Sequence, residues 1–98
     1  MTLKEYDDCI SQVGTEYFYD NILSKLEREL YPNITSWELY NISENKPING
    51  NVYLTIQGSI RGIYSKISVY QDDSWGPCED DDNVITIYYK ELIANDLV

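Results

Sequence analysis

The chain has 98 residues, 17 acidic and 7 basic side chains, no histidine and a formal net charge of −10. That length supports one hydrophobic core, and 43% apolar residues with ten tyrosines is more burial capacity than a disordered acidic tail carries. So acidic a chain repels a polyanion, no segment is apolar for long enough to span a bilayer, and the first residues lack the pattern of a signal peptide. The expectation is a single acidic domain over 1–98, cytoplasmic, contacting neither nucleic acid nor membrane.

Helix signals come first. Thr2 and Glu5 have the spacing of a capping box, in which hydroxyl and carboxylate each satisfy an orphan backbone donor. Leu3, Tyr6, Ile10 and Val13 then recur at steps of three and four, giving one apolar stripe. Gly14-Thr15 reads as a stop followed by a new N-cap. A second helix carries Phe18, Ile22, Leu23, Leu26 and Leu30 on one face and ends before Pro32. The two helices span about 3–13 and 16–30.

From residue 34 the period changes. Residues 34–42 are rich in β-branched and aromatic types and read as a strand containing Trp37. Asn49-Gly50 is a hairpin signal of the kind in which both turn positions take positive φ. Val52, Leu54 and Ile56 alternate with Tyr53, Thr55 and Gln57, so the first set faces a core and the second an uncovered face. Arg61-Gly62 turns the chain again, Tyr64–Tyr70 is the next strand with Ile67 and Val69 inward, 71–83 is a polar loop, and Val84–Tyr89 is the last strand before a short tail. Helices followed by hairpin-linked strands indicate an α+β fold: two N-terminal helices packed on one face of a four-stranded antiparallel meander sheet.

Little in the residues supports catalysis. Without histidine there is no Ser/His/Asp or Cys/His nucleophile system, and no glycine-rich phosphate loop opens a helix. Cys9 and Cys78 are too few for zinc and are expected to be reduced thiols, partly or fully buried. No cofactor or metal is expected. Residues 71–83 hold Asp72, Asp73, Glu79, Asp80, Asp81 and Asp82 with no basic residue, yet lack the alternating ligands and distal glutamate of a calcium loop. This run reads either as a solvated loop or as a recognition surface for a positively charged partner. Trp75 lies within it, either closing the core or standing out as an anchor. Ten tyrosines exceed what a small core needs, and the adjacent Tyr88 and Tyr89 cannot both point inward.

The expected function is that of a small inhibitory binding protein occluding a basic target, a toxin or a nucleic-acid enzyme, as an immunity protein or nucleic-acid mimic does. The alternative is a structural or regulatory subunit whose acidity serves solubility. The candidate partner-binding residues are Asp72, Asp73, Trp75, Glu79, Asp80, Asp81, Asp82, Tyr53 and Tyr88. Purified protein is expected to read as buffer against nuclease, phosphatase, esterase and glycosidase substrates. Turnover abolished by replacing one carboxylate would overturn the binding-module reading.

Overall fold

The computed structural model describes residues 1–27, 37–40, 46–60, 62–76 and 85–97. Helix α1 spans Leu3–Val13 and starts at the expected capping box: Glu5 N–H donates to Thr2 Oγ1 (3.2 Å) and Thr2 N–H to Glu5 Oε1 (3.3 Å). The Thr2 N–H and, at 3.0 Å, the Thr2 hydroxyl both donate to Glu5 Oε1 and hold the Glu5 carboxyl below its ordinary range. Tyr6, Cys9, Ile10 and Val13 turn inward, whereas Leu3 is exposed.

Gly14 stops α1 at a φ of 92° that side chains rarely adopt. It also occupies the N-cap position of the next segment, the place the sequence assigns to Thr15. The second helix, α2, is continuous through Thr15–Tyr17, Phe18–Leu23 and Ser24–Leu26, with its middle part widened to π-type winding. It ends at Leu26, because Glu27 has the extended angles φ −99° and ψ 88°. The sequence carries the helix on to 30, and residues 28–30 lie outside the described set. Contacts with the sheet hold this end in place: Ser65 Oγ donates to the Leu26 carbonyl (3.0 Å), and Ile67 N–H donates to Glu27 Oε1 (2.8 Å).

Among the described residues five strands form one antiparallel sheet: β1 (Glu38–Leu39), β2 (Val52–Ser59), β3 (Gly62–Gln71), β4 (Ser74–Gly76) and β5 (Ile85–Glu91). Their order is β1-β5-β2-β3-β4, which corrects the four-stranded meander. The last long strand inserts between the first two. The Asn49-Gly50 turn therefore does not join sheet neighbours, and only Gly50 has positive φ (82°), so the doubly left-handed hairpin expected there is absent. Among residues 37–40 only Glu38–Leu39 is strand, and part of the expected polar loop is β4. Arg61 lies outside the described residues, but the turn expected beside it stands between Ser59 and Gly62.

The helices cover the sheet face that carries Val52, Leu54 and Ile67. Phe18, Ile22, Met1, Leu92 and Leu97 complete this core, with Trp37 packed against it. Leu97 reaches the core from a short 3-10 turn, Ala94–Leu97. The opposite face is not open. Tyr53 is 5% exposed, Thr55 0% and Gln57 5%, which corrects the uncovered face inferred from alternation. Thr55 Oγ1 donates to the Lys66 carbonyl (2.8 Å) and Gln57 Nε2 to Ser68 Oγ (3.1 Å), so burial leaves these polar groups bonded. Cys9 is a free, half-buried thiol, and Cys78 lies outside the described residues.

β4 pairs with β3 only from Val69 to Gln71, so Glu27 takes up a backbone donor on an edge that β4 leaves uncovered. Glu27→Ala should lower stability by about 1–2 kcal/mol, the cost of a buried donor left unpaired. Glu27→Gln, which keeps an acceptor, should recover most of it in chemical denaturation. Equal losses in the two variants would contradict this role.

Candidate protein-binding surface

The second sheet face is built from rings. Tyr53 on β2, Tyr70 on β3, Trp75 on β4 and Tyr89 on β5 meet Tyr40, which follows β1. Each comes from a different strand or its end, and register brings them together: Tyr70 stands opposite Trp75, and Tyr89 opposite Glu38. Ring centroids lie 4.9 Å apart for Tyr70–Trp75, 5.4 Å for Tyr40–Trp75 and 5.4 Å for Tyr53–Tyr89, all edge-to-face. This is the favoured geometry for ring quadrupoles.

The polar ends of the rings leave the cluster in an ordered way. Tyr70 Oη donates to Asp73 Oδ1 (3.0 Å), which leaves Tyr40 as the donor in the 3.3 Å contact between the Tyr40 and Tyr70 hydroxyls. Lys46 Nζ meets the same Asp73 oxygen at 3.2 Å. The result is a chain from Tyr40 through Tyr70 to Asp73, closed by a cation. Lys46 first, then Tyr70, holds the Asp73 carboxyl below its ordinary range. Burial raises the Tyr70 and Tyr89 hydroxyls, and their acidic neighbours Asp73 and Glu38 add to this. Both remain neutral donors at any physiological pH.

Asp72 and Asp73 form the two-residue turn between β3 and β4, with φ of 50° and 62°. This is the doubly left-handed hairpin that the sequence places at Asn49-Gly50. Non-glycine residues rarely adopt these angles, and aspartate is among the few that tolerate them. Asn49 Oδ1 braces the turn by accepting from Asp72 N–H (3.3 Å), and Gly50 N–H donates to the Tyr70 carbonyl (2.7 Å). The Asn49-Gly50 turn thus packs against the Asp72-Asp73 turn and supports it.

The residues singled out from the sequence separate accordingly. Asp72 and Asp73 are exposed at the tip, and Trp75 is half-buried among the rings below them. Tyr53 shares that cluster and is 5% exposed, not on the open face expected for it. Tyr88 is half-buried on the opposite, helix-side face, level with Ile56 and Leu39. Glu79, Asp80, Asp81 and Asp82 lie outside the described residues. Lys46, Tyr40, Tyr70 and Asn49 were not foreseen. The parity of Tyr53, Tyr70 and Tyr89 against their apolar neighbours was the available signal for the ring face.

Beside the rings lies a cleft of about 430 Å³ whose lining includes Tyr53, Tyr89, Glu38, Glu91, Lys46 and Lys90. Both signs of charge meet there, so it offers polar contacts without a strong single field. Among the described residues no three cysteine, aspartate or glutamate side chains come together as a metal site. No family model matches this chain, and comparison with curated proteins and with solved structures finds no match.

Two measurements test this account of the turn. Asp72→Ala should cost about 1 kcal/mol, because alanine lacks the local hydrogen bonding that eases positive φ, while Asp72→Asn should cost nothing. A lowered folded-state pKa stabilises above the unfolded value and is lost as pH falls through the folded one. Stability should therefore decline as pH drops below the ordinary aspartate value of 3.8, and Asp73→Asn should lose that part of the acid sensitivity. An acid melt of Asp73→Asn superimposable on that of the parent protein would contradict it.

Proposed function

We propose that this chain is a protein-binding inhibitor that occludes a basic target. The target class is an enzyme that must itself hold a polyanion, such as a nuclease-type toxin or a DNA- or RNA-processing or defence enzyme. The observation that carries the reading is the turn at Asp72 and Asp73. Two carboxylates occupy exposed left-handed backbone positions that glycine or asparagine would accept equally well, in a chain already at −10. Asp73 has structural partners in Tyr70 and Lys46, whereas the Asp72 carboxylate has none among the described residues. Negative charge kept at an exposed position that a neutral residue would fill equally well is an argument for use of that site.

Basic surfaces that bind nucleic acid attract such a ridge at long range, giving fast association and discrimination together. Asp72, with Glu79, Asp80, Asp81 and Asp82 of the same acidic run, acts in this reading by steering. Trp75 contributes whatever ring edge the cluster leaves accessible, and the cluster keeps that edge rigid. No part of this reading requires turnover or a cofactor.

The test begins with affinity capture from native lysate at low and high salt, followed by association kinetics with the captured target. Replacing Asp72, Asp80, Asp81 and Asp82 by asparagine should slow association and flatten its salt dependence while leaving dissociation nearly unchanged. Trp75→Ala should both lower the melting temperature and shorten the complex lifetime, the latter by about 2 kcal/mol for an anchor residue. Unchanged association kinetics in the asparagine variant would refute the reading and favour an acidity that serves solubility.

A further inference from the structure

Among the described residues the helical layer does not reach the far end of the sheet. Gly58 of β2 is flanked directly by Ile63 of β3 and Ile85 of β5, and paired residues share a face, here the one that carries Leu54 and Val52. Ile63 is 61% exposed and Ile85 67%, and Ile60 in the adjoining turn is 88% exposed. Ile87 lies over the glycine, since a Cβ at Gly58 would stand 3.3 Å from Ile87 Cδ1. Ser59 closes an apolar groove of about 410 Å³ here. In a chain with 24% charged residues, no charged side chain among the described residues lines it.

We infer that this isoleucine groove is the apolar centre of a docking surface for a basic protein that carries an exposed aliphatic side chain. The inference deepens the function proposed above and rests on it for the partner's charge. Isolated exposed aliphatic residues need no explanation, but a contiguous set around a groove marks an interaction site. Protein interfaces place apolar residues at the centre and charge at the rim. Complementarity selects the occupant. A second copy would bring another net −10 to the same surface, whereas a basic chain is attracted by it.

Two peptides of equal length and charge serve as probes, one alternating lysine with leucine and one alternating lysine with serine. Their binding to the full chain is measured calorimetrically at low and high salt. The lysine–leucine peptide should bind roughly tenfold tighter, the gain expected from burying one or two aliphatic side chains. It should also keep more of its affinity in high salt. Ile60→Thr, Ile63→Thr and Ile85→Thr together should bring the two peptides to equal affinity. Ile85→Thr alone, well tolerated in a strand, should remove part of the difference and serves if the triple variant does not fold.

Equal affinities in the parent protein, or a difference that survives in the variants, would overturn the groove. Should the lysine–serine peptide fail to bind at low salt while the leucine-dependent binding persists, the proposed function fails and the groove stands. Sedimentation of the protein alone should show a monomer. A dimer dissolved by the same threonine substitutions would assign the groove to a second copy and overturn the inference.

Discussion

A strand buried on both faces imposes a requirement that the rest of this molecule meets. Every side chain from Val52 to Gln57 is buried, so each face of β2 needs its own cover. One cover is helical, with Phe18 and Ile22 lying over Val52 and Leu54. The other is a set of rings contributed by the neighbouring strands. Burying both faces also requires a long pairing strand on each side. β3 and β5 provide them, with ten and seven residues, and the two-residue β1 is left at the edge. The strand order follows from which segments are long enough to shield the centre.

The ring cover brings a second constraint. Tyrosine packs like a large hydrophobe but carries a hydroxyl that must be bonded when buried. The Tyr53 hydroxyl accepts from Ile48 N–H at 2.9 Å. The Tyr70 hydroxyl is bonded to Asp73, which fixes where the aspartate must stand and hence the shape of the β3–β4 turn. Packing in the cluster and the left-handed backbone at the tip are thus one arrangement. The acidic tip is held by the cluster beneath it, which favours a recognition element because little order remains to be gained on binding.

Charge and apolar surface divide the exterior. The acidic tip lies at the β3–β4 end of the ring face, whereas the exposed isoleucines lie beyond the helices on the other face. A binding protein that used both would separate its terms, with charge governing approach and the groove governing lifetime. Neither the exposed Asp72 carboxylate nor the apolar groove at Gly58 is needed to cover β2, and surface kept without a packing reason is where function is sought.

Local chemistry by itself determined the class of fold. The capping box at Thr2 and Glu5, the break at Gly14, the inward set Val52, Leu54 and Ile56, and the strands around Ile67 and Ile87 all depend on residues within a few positions of one another. Each is present in the structure. Strand order was not legible, because it depends on which distant segments pair, and an Asn-Gly turn specifies a reversal without naming the neighbour. The ring face was hidden for the same reason: alternation reveals that Tyr53, Tyr70 and Tyr89 point away from one core, but not that they converge on Trp75 to make another. At the acidic tip, composition identified the carboxylates, while only the tertiary hydrogen bonds from Tyr70 and Lys46 decided that one aspartate is structural, its neighbour's carboxylate having no partner among the described residues. Pairing across long sequence separation carries no local signature, and the second core, the turn and the isoleucine groove are all products of it.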